Sequence, residues 1–148
     1  MQRIEWKDYF FGFADLASKR STCLRRQIGA VLVKDNMVIA TGYNGTPRGL
    51  KHCSETGCIR TDENIPSGQR HELCRGLHAE QNAIIQAAKN GVNVDGSHLY
   101  CSTKPCVICT KMIINAGIKK VFYQHDYDDK LADQLVKESD VEFIKVKS

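Results

Sequence analysis

Two short stretches carry residue types that could hold a metal and use it. His78-Ala79-Glu80 sets an imidazole two residues before a carboxylate, and Pro105-Cys106-Val107-Ile108-Cys109 sets a Cys-x-x-Cys pair behind a proline. Zinc takes nitrogen and sulfur ligands in a tetrahedron, and a catalytic zinc keeps one position for water. His78, Cys106 and Cys109 supply three ligands and leave the fourth position open. A helix starting at Cys106 puts both sulfurs on one face and favours their thiolate forms. Pro105 loses nothing by lacking an N–H there. Glu80 stands too near His78 to be an easy fourth ligand. It is placed instead to take a proton from a water acidified by zinc and to pass it on, first as base and then as acid. Singly the pieces say less: Cys-x-x-Cys also serves redox pairs and half-fingers, and a lone helical His is usually a packed one. With Glu80 in place and each segment opening a helix, they point to a catalytic zinc.

The rest of the chain must bring these stretches together. Ile4 to about Lys19 carries Ile4, Phe11, Leu16 and several aromatics at helical spacing, an amphipathic first helix whose Trp and Phe belong to the core. Ile28–Val33 and Met37–Gly42 read as strands joined by Lys34-Asp35-Asn36, an antiparallel hairpin. Tyr43–Gly49 leaves the second strand as a Gly/Pro-rich loop. From His52 to Gly76 there is little periodicity, but Cys53, Cys58, His71 and Cys74 lie in it. So long a loop is unusual unless functional or pinned, and a metal would pin it.

Leu77 to about Lys89 is a helix with a small-residue face of Ala79, Ala83, Ile84, Ala87 and Ala88, ended by Asn90-Gly91. A strand at Ser97–Ser102 follows, then a helix from Cys106 to Ala116 stopped by Gly117. Lys120–Tyr123 (strand), Asp128 to about Glu138 (helix) and Val141–Val146 (strand) complete the chain. A hairpin followed by alternating helices and strands implies α/β layers, a mixed sheet covered by helices. Both motif segments then open helices beside one sheet, which suits a shared site.

Composition sets the bounds. A chain of 148 residues with 42% hydrophobic and 26% charged residues is expected to form one globular domain, spanning 1–148 with a Cys/His-rich insertion at about 50–76. No apolar run reaches the length of a membrane span, and the first residues lack the layout of a signal peptide, so the expected location is the cytoplasm. A net charge of +4 suits an anionic small molecule but is too weak and too evenly spread for nucleic acid. Seven cysteines, an odd number without a secretion signal, argue for metal ligation over disulfides.

The quoted segments carry a family resemblance. Gln27-Ile28-Gly29-Ala30-Val31, Thr41-Gly42-Tyr43-Asn44-Gly45, His78-Ala79-Glu80-Gln81-Asn82-Ala83 and Pro105–Cys109 resemble the zinc-dependent cytidine/deoxycytidylate deaminases, nearest to the bacterial and phage deoxycytidylate (dCMP) type. The likeness runs from about Trp6 to Val146. It implies a three-layer α/β/α fold with a mixed sheet of about five strands, and hydrolysis of dCMP to dUMP for thymidylate synthesis. It further implies that Asn44 holds the sugar hydroxyl, that the Ala79 N–H meets the pyrimidine and that Tyr127 lies near the phosphate. An arginine must then meet the phosphate, Arg26 before Arg25.

Phage-type members also carry a structural zinc. Cys23 and Cys53 match two of its ligand positions, and His71 and Cys74 are the candidates for the others, with Cys58 as a substitute; Cys101 reads as a core cysteine. Some members are hexamers activated by dCTP and inhibited by dTTP, so the resemblance implies a homo-oligomer and these effectors, with the Gly42–Gly49 loop at the effector site. The rival readings are a tRNA adenosine deaminase, a free cytidine deaminase and a non-catalytic zinc-stabilised binding module. The insertion weighs against the first, the arginines before Gly29 against the second, and Glu80 against the third.

Overall fold

The computed structural model describes residues 1–147. Six α-helices and five strands follow in the order α1 (Trp6–Ser18), β1 (Gly29–Lys34), β2 (Met37–Tyr43), α2 (Cys53–Thr56), α3 (Ile59–Asp62), α4 (Ala79–Lys89), β3 (His98–Thr103), α5 (Val107–Asn115), β4 (Lys120–His125), α6 (Lys130–Glu138) and β5 (Glu142–Lys145). The strands form one five-stranded sheet in the order β2-β1-β3-β4-β5. β1 pairs antiparallel with both β2 and β3, whereas β3, β4 and β5 run parallel. The expected mixed sheet is therefore present, and the expected elements are found to within two or three residues. The β1–β2 turn needs positive φ at both central residues, and Asp35 and Asn36 supply it at 51° and 59°.

β1 has no polar residue before Lys34 because both its faces are covered. Ala30 and Leu32 join Leu99, Cys101 and Val121 under α4 and α5. Val31 and Val33 join Tyr100 and Phe122 on the other face, against Phe10 and Phe11 of α1. α6 packs on α5. The layers are thus α1, the sheet, and α4, α5 and α6.

Three expectations are corrected here. In α1 only part of the apolar set is core: Phe10 and Phe11 are buried, while Ile4, Trp6 and Leu16 are 60%, 48% and 64% exposed. The sheet covers one stripe of that helix, and Trp6 stacks on Phe10 from outside, with ring centres 5.5 Å apart. The 52–76 stretch is not devoid of regular structure; it folds into α2, α3 and a single 3-10 turn at His71–Leu73, pieces too short to show a period. On α4, Ala79, Ala83 and Ala87 are buried but Ala88 faces outward.

The strand directions matter most for function. Gly29 at the start of β1 pairs with Tyr43 at the end of β2, Ala30 with Cys101 near the end of β3, and Thr103 with His125 at the end of β4. The segments before β1 and after β2, β3 and β4 consequently leave the sheet at one edge. That edge includes the carboxyl ends of the parallel strands, where open α/β sheets bind their ligands.

Candidate active site

His78 caps α4 and Cys106 caps α5, so the two motifs stand at neighbouring helix starts on this edge. A bridge between Gly45 and Leu77 fastens the approach to His78 against the loop after β2. The Gln81 side chain accepts the His78 N–H at 2.7 Å, which fixes the cap. His78 Nδ1 lies 3.4 Å from Cys106 Sγ and 3.3 Å from Cys109 Sγ. Among the described residues these are the group whose ligand atoms all fall within 4.8 Å of one another. A tetrahedral zinc with ordinary Zn–S and Zn–N lengths would hold such atoms about 3.5 Å apart, so the set fits that metal.

Electrostatics agree with ligation. The Cys109 thiol and the His78 ring hold Cys106 down to about 4, the thiolate form that binds metal. Cys109 is pushed up in return, by its hydrogen bond to Cys106 and by burial. Glu80, in the first turn of α4, is only 5% exposed, and burial raises its carboxyl above the ordinary range. Cys101 is fully buried beneath it, a core cysteine as expected, and burial raises its thiol well above normal.

A cavity of about 340 Å³ opens beside these residues and extends to Arg26, Asn44, Lys104 and Tyr127. The Arg26 guanidinium stands over the Tyr127 ring, 5.8 Å from its centre. Asn44 uses both ends of its amide on the segment before β1: Oδ1 accepts the Ile28 N–H at 2.8 Å, and Nδ2 donates to the Arg26 carbonyl at 2.9 Å. Each end keeps one further hydrogen-bonding site. Ala79 is buried, and as the first residue of α4 its N–H has no intrahelical acceptor.

The second candidate metal set is brought together only in part. Cys53 is raised by burial and then by the nearby thiols of Cys23, Cys74 and Cys58. Burial alone would raise Cys58, but hydrogen bonds from Thr61 and the backbone of Arg60, with the charge of Arg25, bring it down. The His71 ring centre lies 5.2 Å from that of His78, and His71 is lowered by burial and by the His78 charge.

Three residues at the site escape the sequence patterns. Lys104, after β3, lines the cavity and pairs with Asp133 at 2.6 Å. Asp129 accepts the Ala132 N–H through Oδ1 at 3.1 Å and the Val107 N–H through Oδ2 at 2.8 Å, so one carboxylate opens both α6 and α5. The N-cap half of that role is readable, since Asp stands directly before the helix. The bond to Val107 crosses 22 residues and is not. Arg60, on α3, also lines the cavity.

Comparison with known proteins agrees with this site. The family model described as the cytidine and deoxycytidylate deaminase zinc-binding region matches residues 4–125. Deoxycytidylate deaminase of Schizosaccharomyces pombe is 46% identical over 126 residues, 85% of this chain and 39% of that protein. ComE operon protein 2 of Bacillus subtilis is 44% identical over 127 residues, 86% of this chain and 63% of that protein. The chain therefore spans less than two thirds of the length of either. The crystal structure of dCMP deaminase from the cyanophage S-TIM5 in complex with dCMP and dUMP superposes with a TM-score of 0.81 at 35% identity, covering 99% of this chain and 100% of that one.

Proposed function

Because the chain belongs to the cytidine and deoxycytidylate deaminase family, we propose that it hydrolyses dCMP to dUMP and ammonia, a step that feeds thymidylate synthesis. The observation that carries this reading is a buried carboxyl, Glu80, beside a His-Cys-Cys set that fits zinc, in a cavity whose far side holds Arg26 and Tyr127. The cyanophage relative bound to dCMP and dUMP supports the substrate.

His78 Nδ1, Cys106 and Cys109 would hold the metal, whose contribution when bound is to acidify a water at neutral pH. Glu80 takes the proton from that water and gives it to the pyrimidine ring nitrogen. It then carries a second proton to the departing amine. A C4–O bond forms, the C4–N bond breaks, and one water is consumed for each ammonia released. The raised proton affinity of buried Glu80 suits a group that must hold a proton between these transfers. The Ala79 N–H would orient the pyrimidine, the spare capacity of Asn44 would meet the sugar hydroxyl, and Arg26 beside Tyr127 would meet the phosphate.

The test is ammonia release from dCMP, CMP, deoxycytidine and tRNA. A phosphate held by charge-assisted hydrogen bonds, each of about 1.5–3 kcal/mol, raises kcat/KM for dCMP over deoxycytidine by at least about tenfold. Equal rates on the two would remove the phosphate from the reading, and turnover of tRNA alone would replace it with the adenosine deaminase alternative.

The same reading includes a second, structural zinc on Cys23, Cys53 and Cys74, with His71 or Cys58 as the fourth ligand. The nearness of the Cys23, Cys74 and Cys58 thiols to Cys53 supports it. Metal analysis of the fully loaded protein is expected to find two zincs per chain. One zinc per chain would eliminate the second site. The reading also carries a single cytoplasmic deaminase domain in a homo-oligomer, a hexamer as in some relatives, with dCTP and dTTP acting at the 42–49 loop.

A further inference from the structure

Asn82 stands outside the cavity and yet holds the backbone of one residue that lines it. It lies on α4, one turn past His78, and is not part of the cavity wall. Its Nδ2 donates to the Tyr43 carbonyl at 2.8 Å, and Tyr43 is the residue before Asn44. One turn further along the helix, Gln86 Oε1 accepts the Thr41 N–H at 2.7 Å. The two spacings match: four helical residues rise about 6 Å, and two strand residues span about 6.6 Å. β2 is an edge strand, so alternate residues turn their main-chain groups away from β1. Tyr43 is such a residue, since Gly29 opposite it gives its own N–H to Ser102 Oγ on β3. Two side chains of α4 thus satisfy groups that the sheet leaves open.

The consequence falls on Asn44. The peptide before it has its carbonyl held by Asn82 and its N–H held by the Ile28 carbonyl at 3.2 Å. The peptide after it has its N–H held by the Leu77 carbonyl at 3.1 Å. Peptide units are planar, so fixing both of them fixes the two backbone dihedrals of Asn44 and the direction of its side chain. Ile28 belongs to the segment before β1, whereas Leu77 and Asn82 flank His78. The orientation of Asn44 is therefore referred to the same helix that carries His78 and Glu80.

We propose that Asn82 is a positioning residue for sugar recognition: by holding the peptide in front of Asn44 it aims that amide at the free sugar hydroxyl of the nucleotide. This rests on the dCMP reading of the site, in which Asn44 meets that hydroxyl. dCMP has a single free sugar hydroxyl, because its 5′ oxygen carries the phosphate. Asn44 offers one spare acceptor and one spare donor beside its bonds to Ile28 and Arg26. Hydrogen bonds weaken steeply with angle, so a tilt of the preceding peptide forfeits them.

The experiment compares steady-state kinetics of the zinc-loaded full chain and its Asn82→Ala, Asn82→Asp and Gln86→Ala variants on dCMP and on its dideoxy analogue, which lacks the sugar hydroxyl. Zinc content is measured for each. The parent is expected to favour dCMP about 3- to 12-fold in kcat/KM, the worth of one neutral hydrogen bond. In Asn82→Ala this ratio falls towards one through a rise in KM for dCMP, while the analogue is turned over as by the parent and zinc content holds. Asn82→Asp keeps the size but sets an acceptor against a carbonyl, and the ratio falls as far. Gln86→Ala keeps the parent ratio, because its strand contact is at Thr41 and not at the peptide before Asn44. An unchanged ratio in Asn82→Ala overturns the proposal. A parallel loss on both nucleotides overturns it by showing a structural role, and an equal fall in Gln86→Ala does so by tracing the effect to the hold on β2 as a whole. If Asn82→Ala does not fold, the ratio in Asn82→Asp decides by the same criterion. An unmutated chain that turns over both nucleotides alike removes the sugar contact of Asn44, and one that leaves dCMP untouched removes the substrate reading. Either result takes the proposal with it, but both are read without a variant and so are distinct from a failure of Asn82 alone.

Discussion

Glu80→Gln is expected to lower turnover by about 10²- to 10⁴-fold, the usual worth of a positioned acid/base, while the protein keeps its zinc. The two halves of this result have separate structural causes. Zinc retention follows because His78, Cys106 and Cys109 form the ligand set without Glu80. The loss follows because Gln fills the same space in the first turn of α4 but cannot take or give the proton. Burial makes replacement by a bulk-solvent base inefficient, since Glu80 is 5% exposed. Ammonia release measured beside zinc content checks both halves. Turnover near the parent level would take Glu80 out of the mechanism. Loss of zinc would instead make the carboxylate part of the metal's support.

The second large effect lies in the packing that carries the site. Gly42, near the end of β2, has α4 pressed against its backbone: a Cβ there would stand 2.2 Å from the Ala79 carbonyl oxygen and 2.5 Å from the Ala83 nitrogen. Both are main-chain atoms of the helix that begins with His78, so the clash cannot be relieved by a side chain. Gly42→Ala is expected to cost about 1–3 kcal/mol of stability, the range for overpacking, and to weaken zinc binding because the displaced turn holds His78 and Glu80. Gly45→Ala is the control, since its Cβ would meet only the Tyr43 ring, at 3.8 Å. Denaturant unfolding and zinc retention on the pair check this. A Gly42→Ala protein as stable and as zinc-replete as Gly45→Ala would show that α4 can move without consequence.

The sequence was most legible where function depends on local backbone. His78 and Cys106 announce themselves because a residue at a helix start is marked by what surrounds it: Pro105 before one, an alanine-rich run after the other. The Asp35-Asn36 turn is legible for the same reason, since few residue pairs accept two positive φ values. What was not legible are relations across the chain. The apolar residues of α1 follow helical spacing, but which of them meets the sheet depends on how far the sheet extends beneath the helix. Trp6 falls outside it and Phe10 inside. His71 and Cys74 are spaced as a ligand pair, and nothing in that spacing tells that the helical turn also brings the His71 ring centre 5.2 Å from that of His78. Arg60 stands two residues after Cys58, and nothing local tells that its side chain lines the cavity.

The carboxylate of Asp129 has a consequence for how the metal site comes into being. It belongs to the connection after β4, and it reaches back to the first N–H of the helix that carries Cys106 and Cys109. This N-terminal cap on α5 is thus available only once the chain has been laid down through the start of α6, past both motifs. Zinc binding and folding free energies are linked wherever the site does not exist in the unfolded chain. Affinity for the ion would then report on the docking of a carboxy-proximal helix that never touches it, and substitutions in α6 are expected to change how tightly a zinc is held.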